Sequence, residues 1–502
     1  MDLLSLTDKI VGILWSTPMV ILCMGVGIIY SVALKFPQIV RFKDMLYYLL
    51  KGTDSDSGIS SFQSFSMALG GRIGVGNIAG VATAICFGGP GAIFWMWVYA
   101  IFGAASAFAE AVLGQIWKEE VDGEYRGGPA FYIGKGTGFK PLAVLFALCA
   151  ILSFGFTGPT IQAFNIAESA HNAFGVSPII TGALVAGLFG FIVFGGMKRI
   201  GRFAELVVPI MAAAYLVLTL VILVINYSAI PSMFALIFKS AFNMEAAYGA
   251  VWGSTIMWGV KRAVYSSEAG MGSGAQAAAS AEVSHPVKQG LAQAFSIYID
   301  TIIVCTATGL MILVTGMFNI VDGKGNFITQ GLPGVDPGTG YTQAAIDTLS
   351  PGLGSIFIAI AIFFFAFTTV LSFGFYAMPN VAYLMKGSKH LKKVTHAIGV
   401  IQMVSIFFGS VKSSALAWNL ADIGVGGIAW VNLIGLLFLV KPVMIAMSDF
   451  QKQRSMGLDP VFDPDDCGIK DAGLWKTIVE RNYKHLNAKK QEARLRETAI
   501  EQ

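Results

Sequence analysis

The sequence predicts an all-α polytopic membrane protein with eleven transmembrane helices. Three observations carry that expectation. Of 502 residues, 55% are hydrophobic and only 13% charged, where soluble domains carry about 25% charged residues. Apolar runs of about 20 residues, the length that crosses a bilayer, recur along most of the chain. Basic residues concentrate in every second connection between those runs.

The runs lie at 11–34, 60–87, 91–117, 141–166, 177–197, 204–226, 246–268, 289–318, 351–378, 394–411 and 427–448. The first follows MDLLSLTDKI, which lacks the basic region of a cleaved signal, and is long enough to span. The second holds Arg72 among glycines. The seventh runs into Lys261-Arg262 and the polar stretch YSSEAGMGSG. Connections 35–59, 118–140, 198–202, 261–288 and 386–393 are rich in Lys and Arg. Connections 88–90 and 167–176 have none, and 227–245, 319–350 and 412–426 have only Lys239, Lys324 and Lys412. The positive-inside rule then puts the N-terminus outside and the C-terminus in the cytoplasm.

The connection 322–343, rich in Gly and Pro, reads as an irregular surface loop. The tail LWKTIVERNYKHLNAKKQEARLRE reads either as a helix on the inner leaflet or as a solvated segment.

Other function classes find little support. A net charge of +4 gives no nucleic-acid signature. Cys23, Cys86, Cys149, Cys305 and Cys467 are not spaced as a metal site or disulfide framework. His171, His285, His390, His396 and His485 fall in loops or near span ends, which speaks against a metal cluster or proton relay. There is no carbonyl-filter signature of a channel and no nucleophile elbow or phosphate loop of an enzyme. No organic cofactor is expected.

The stretch GRIGVGNIAG, Gly71 to Gly80, contains a G-x-G-x-x-A pattern. A dinucleotide fingerprint needs a preceding strand and an acidic residue about twenty positions on. Here SSFQSFSMALGG precedes, a membrane span follows, and the later region is FWMWVYA. Clustered glycines weaken a helix by about 1 kcal/mol each relative to alanine. An unwound backbone in lipid survives only where it lines a polar cavity or is buried in protein. Transporters use such broken helices to bind substrate carboxylates and Na⁺. The stretch therefore reads as a broken second span.

A matching break is expected in the other half of the chain. The seventh span, YGAVWGSTIMWGVKR, supplies Gly249, Gly253 and Gly259 with Ser254 and Thr255. Spans two and seven enter from opposite sides, which makes two five-helix repeats of inverted topology. The expected units are an extra N-terminal helix 1–34, a basic amphipathic cytoplasmic segment 35–59, repeats 60–226 and 227–448, and a cytoplasmic tail 449–502.

Three segments now carry a resemblance. GVGNIAGVATAICFGGPGAIFWMW (Gly74 to Trp97), RAVYSSEAGMGS (Arg262 to Ser273) and FFFAFTTVLSF (Phe363 to Phe373) resemble the alanine or glycine:cation symporter family. The resemblance runs from about residue 15 to 450. It implies the LeuT-like inverted-repeat fold, in a bacterial inner membrane surrounded by lipid. It also implies a small neutral amino acid as substrate and Na⁺ as coupling ion.

Carried over position by position, the resemblance implies backbone groups of Gly74, Val75, Gly76 and Asn77 at the substrate carboxylate. Gln162, Phe164, Thr255, Trp258, Gly259, Thr369 and Phe373 complete the implied pocket. The implied sodium ligands are carbonyls of Gly70, Ile73 and Phe365 and hydroxyls of Thr368 and Thr369. From the residues alone, back-bonding to their own helix is the favoured reading of those hydroxyls. The chain departs from the family pattern at Val75, at Phe373, in the following GFYAMPN, and in QAFN. These departures border the pocket, so alanine, glycine, serine and glutamine all stay open as substrates, with alanine or glycine favoured.

Ionisable residues inside spans are functional candidates. Arg72 either closes an inner gate with Glu268 or snorkels to the surface. Glu110 and Asp300 read as structural hydrogen-bond partners, with H⁺ coupling through either as the alternative. Asp422 reads as a solvated residue near the outer edge.

Overall fold

A computed structural model describes residues 3–50, 55–242, 244 and 252–501. Helices α1 (Leu3–Leu14) and α2 (Thr17–Ala33) meet at a bend of 43°. Pro18 opens α2, since proline can begin a helix but cannot extend one. Short helices α3 (Pro37–Val40) and α4 (Phe42–Leu50) follow.

Helix α5 (Ser61–Arg72) starts at a capping box: Gln63 N donates to Ser60 Oγ, and Ser60 N donates to Gln63 Oε1. A π-helical turn, Gly76–Gly80, leads into α6 (Val81–Gly88). Next come α7 (Gly91–Ile116), the hairpin β1 (Glu119–Val121) and β2 (Glu124–Arg126), and α8 (Pro129–Gly136). Helices α9 (Lys140–Leu152) and α10 (Gly158–Phe174) form one rod through a second π turn.

Then follow α11 (Pro178–Val193), α12 (Met197–Ile225), α13 (Ile230–Ala241), α14 (Trp252–Ser267) and α15 (Ser273–Ala279). A rod of α16 (Pro286–Ile297) and α17 (Thr306–Thr315) leads to the hairpin β3 (Asn319–Val321) and β4 (Phe327–Gln330). The chain continues through α18 (Thr339–Asp347), α19 (Leu353–Leu384), α20 (Leu391–Ser410), α21 (Ser414–Leu437) and α22 (Val440–Ser455). It closes with α23 (Leu474–Asn482) and α24 (Lys484–Glu501).

Among the described residues, seven helices or rods are long and apolar enough to cross a membrane, or up to nine if each bent pair is one span. Helix α11 is apolar but shorter, and α14 has 16 residues. The interrupted helix α5–α6 packs against α12, α14, α15 and α19. The pair α14–α15 packs against α7, α5 and α6. The two interruptions therefore lie side by side inside the helical body, which is where they can share partners.

Four expectations need correction. The last span lies earlier than 427–448: α21 already begins at Ser414, so 412–426 is mostly helix. The connection 261–288 is no loop, because α14 runs to Ser267 with Lys261 and Arg262 buried on it. The segment 322–343 is partly ordered by β4, the start of α18 and Asn319, whose side chain bonds Leu332 O at 2.7 Å and Leu332 N at 2.9 Å.

The fourth correction is the tail, which is not simply solvated but packs part of its length against the helical body. Trp475 is fully buried and its Nε1 donates to Gln115 O at 3.0 Å. Lys490 is buried and reaches Val461 O at 3.1 Å and Asp466 at 3.1 Å. Its apolar residues had been outweighed in the sequence by the charged surface around them.

Candidate functional site

The first interruption falls at Ile73–Gly74, and the two halves of the helix are bent by 47°. Its freed N–H groups are met by side chains. Gly74 N donates to Asn77 Oδ1 at 2.9 Å, and Val75 N to Gln162 Oε1 at 3.3 Å. A side chain at Gly74 has no room: a Cβ there would lie 2.5 Å from Thr369 Oγ1 and 3.3 Å from Gln162 Oε1. Gly74, Val75, Gly76, Asn77, Gln162 and Thr369 are all buried.

The second interruption exists but lies later than Gly253–Gly259. Helix α14 is continuous from Trp252 to Ser267, and Gly249 lies outside the described residues. The break spans Glu268 to Gly272, where Glu268, Gly270 and Gly272 have φ of 54°, 84° and 77°. Two glycines supply the left-handed backbone at little cost, while Glu268 adopts it as a non-glycine.

Its freed groups are also met. Gly272 N donates to Glu110 Oε1 at 3.0 Å, Asn432 Nδ2 to Gly270 O at 2.9 Å, and Tyr99 OH to Ala269 O at 2.6 Å. Asn432 Nδ2 also donates to Glu110 Oε1 at 2.6 Å. In lipid an unmet backbone group costs several kcal/mol, so these side chains are what makes the break tolerable.

Asp300 joins the two interruptions. Asn77 Nδ2 donates to Asp300 Oδ1 at 2.7 Å, Ser266 Oγ to Asp300 Oδ2 at 2.9 Å, and Thr301 Oγ1 to Asp300 Oδ2 at 2.6 Å. Asp300 is fully buried, and among the described residues no basic group forms an ion pair with it. Its donors are all neutral.

An oxygen cluster lies on the other side of Gly74. Thr369 Oγ1 donates to Gly70 O at 2.9 Å and to Phe365 O at 3.0 Å. Thr368 Oγ1 donates to Phe365 O at 3.0 Å and reaches Gly70 O at 3.4 Å. Four of the five expected sodium ligands thus converge, and the hydroxyls also back-bond to their own helix. Ile73, the fifth, is buried, with its N–H bonded to Leu69 O at 2.7 Å.

Other expected residues go elsewhere. Phe164 is only half-buried, two positions and about 200° round α10 from Gln162. Thr255 Oγ1 donates to Gly88 O at 2.7 Å, at the far end of α6. Trp258 stacks on Phe87 with ring centroids 4.7 Å apart. A Cβ at Gly259 would lie 2.6 Å from Trp95 Cβ and 2.7 Å from Ala92 O, so Gly259 is a contact between α14 and α7. Phe373 packs one turn beyond Thr369 against Phe154 at 5.4 Å, and a Cβ at Gly158 would lie 2.7 Å from its ring.

The ionisable residues also depart from expectation. Arg72 does not snorkel: it is buried, and its Nε donates to Ser267 O at 2.7 Å and its Nη1 to Ser296 Oγ at 2.6 Å. Among the described residues no ion pair joins it to Glu268, which instead accepts from Ser273 Oγ at 2.9 Å. Asp422 is not solvated. It is 2% exposed and pairs with Lys261 Nζ at 2.6 Å and Arg262 Nη1 at 3.4 Å. The two cations and the acid are 160 residues apart, so nothing local announces the pairing.

Sequence reasoning missed Ser266, Gln293, Ser296, Ser372 and Asn432. Ser372 Oγ donates to Met67 O at 2.7 Å, one turn before Gly70. Its spacing from Thr368 was the available signal.

Two interrupted helices meeting at buried polar contacts inside a multi-pass helical body define a membrane transporter. The Sodium:alanine symporter family description matches residues 1–464, and the chain belongs to that family. It is 46% identical over 454 residues to the sodium/proton-dependent alanine carrier protein of Bacillus sp. strain PS3, covering 89% of this chain and 100% of that one. It is 40% identical over 469 residues to the sodium/alanine symporter AgcS of Methanococcus maripaludis, covering 90% and 98%. A mutant of the Eremococcus coleocola manganese transporter shares the fold, with a TM-score of 0.50 at 13% identity, covering 86% and 95% of the two chains. These relatives are transporters, not enzymes.

Proposed function

We propose that this protein is a secondary active symporter that couples inward Na⁺ movement to uptake of a small neutral amino acid, alanine first and glycine second. The observation that carries this reading is the cluster of Gly70 O, Phe365 O, Thr368 Oγ1 and Thr369 Oγ1 beside Gly74. Two carbonyls and two hydroxyls make the all-oxygen donor set a hard cation takes. With Ile73 they form the proposed Na⁺ site. A cation there would replace the hydrogen bonds now drawn between those oxygens.

The amino acid would bind next to it. Its carboxylate would take the N–H groups of Gly74 to Asn77, of which Gly74 N is now held by Asn77 Oδ1 and Val75 N by Gln162 Oε1. Thr369 would touch both solutes, which couples them physically. Phe373 would close the space one turn beyond. Thr255, Trp258 and Gly259 would act indirectly by seating α14 on α6 and α7. Arg72 and Glu268, flanking the two breaks, would separate or pair as the site opens.

The proposed architecture is eleven spans with one extra N-terminal helix and two inverted five-helix repeats, LeuT-like, over 60–226 and 227–448. The N-terminus would be outside and the C-terminus cytoplasmic in a bacterial inner membrane. Alternating access would rock one set of helices against the other around the fixed site.

Asp300 favours a second reading for the coupling ion. A buried carboxylate with only neutral donors is expensive in a membrane unless a proton or metal cation neutralises it. Proton coupling through Asp300 is therefore the alternative, and Glu110, held by a backbone N–H, is the weaker choice.

Binding of a panel of L- and D-amino acids to the purified protein, with and without Na⁺, tests both. Na⁺-dependent alanine binding supports the first reading. Alanine binding that follows pH and ignores Na⁺ supports the second.

A further inference from the structure

Lys261 and Arg262 share one carboxylate. Lys261 Nζ lies 2.6 Å from Asp422 Oδ2, and Arg262 Nη1 lies 3.4 Å from Asp422 Oδ1. Lys261 is 6% exposed, Arg262 3% and Asp422 2%. Among the described residues no other acid pairs with either cation, so the buried set carries one surplus positive charge.

Arg262 is the less satisfied of the two cations. A guanidinium offers five N–H donors, yet its contact with Asp422 is long and its buried Nε has no hydrogen-bond partner among the described residues. Two rings lie against it, Trp418 at 4.2 Å and Trp258 at 5.0 Å from the guanidinium carbon. Ring faces attract the cation but do not satisfy its donors. A buried, under-bonded guanidinium is costly, and a planar carboxylate is the ligand that fits its fork.

The location gives the ligand. A Cβ at Gly76 would lie 3.1 Å from Tyr265 Cδ1, and one at Gly80 would lie 3.9 Å from Arg262 Cδ. Arg262 thus stands beside Gly80, six residues beyond Gly74, at the start of α6. Next to it, Tyr265 leads back to the segment proposed to hold the substrate carboxylate.

We propose that Arg262, with Lys261, forms an anion subsite that takes the carboxylate of the incoming amino acid before it reaches Gly74 to Asn77. Asp422 holds the place of that carboxylate while the subsite is empty of substrate. The proposal rests on the amino-acid symport reading. Removal of either cation abolishes the surplus charge and leaves the other paired with Asp422.

Propionate, which has the methyl and carboxylate of alanine but no ammonium group, is the probe. Stopped-flow association of alanine with the full-length protein at saturating Na⁺ is measured with and without millimolar propionate. In the unmodified protein propionate slows association by about threefold or more. In Arg262→Gln alanine associates about tenfold more slowly, and propionate has no further effect. Arg262→Lys keeps the charge and keeps the propionate effect in part.

Should Arg262→Gln fail to fold, Lys261→Gln carries the test, because it removes the same surplus charge and should likewise abolish the propionate effect. Equal slowing by propionate in the unmodified protein and in whichever of these neutral variants is measured, or no slowing in the unmodified protein, overturns the proposal. Failure of the unmodified protein to bind alanine at all would instead count against the symport reading.

Discussion

Thr369 Oγ1 stands 2.9 Å from Gly70 O, the shortest of the hydroxyl contacts that α19 makes to this carbonyl of the broken helix. Thr369→Val keeps the shape and removes the oxygen. Apparent Na⁺ affinity in alanine binding should then fall about tenfold or more, equivalent to about 1.4 kcal/mol. Thr369→Ser should stay within about threefold. An unchanged Na⁺ dependence in Thr369→Val would refute the ion-site assignment.

Gly74→Ala should abolish alanine binding. The added methyl would sit 2.5 Å from Thr369 Oγ1, where overpacking costs about 1–3 kcal/mol. Thermal unfolding should show only a modest loss, because the clash is confined to the site. Calorimetric binding that matches the unmodified protein would contradict the close approach.

Gly259→Ala separates packing from binding. Its methyl would press on Trp95 and Ala92 O, so stability should drop by about 1–3 kcal/mol. Alanine affinity in the variant that remains folded should be unchanged. A large affinity loss without a change in unfolding temperature would return Gly259 to the pocket.

Asp422→Asn leaves two buried cations without an anion. Breaking a buried pair by removing one partner costs about 3–5 kcal/mol, and the unfolding temperature should fall accordingly. Asp44, which pairs with the partly exposed Arg41 at 3.2 Å and Arg454 at 3.7 Å, is the comparison: Asp44→Asn should cost at most about 1 kcal/mol. Equal effects at both positions would show that Asp422 is not buried as described.

Much of this was legible in the sequence, and the gaps have physical causes. The first break was readable because three glycines and Asn77 crowd the middle of an apolar run. The second was misassigned to Gly253–Gly259, since glycine count alone does not separate packing from unwinding. The true break, Glu268–Gly272, looked like a loop because its backbone partners, Glu110 and Asn432, come from helices 158 and 164 residues away from Glu268. Asp422 was misread for the same reason, as its neutralising cations are remote. Local pattern reports helices well, but the satisfaction of buried polar groups is decided by long-range packing.

Uptake of labelled alanine into proteoliposomes, with and without an imposed inward Na⁺ gradient, tests the central claim most directly. The account predicts accumulation above equilibrium that requires the Na⁺ gradient and collapses in Thr369→Val. Uptake that is insensitive to the Na⁺ gradient, or the absence of uptake of any small neutral amino acid, would contradict it.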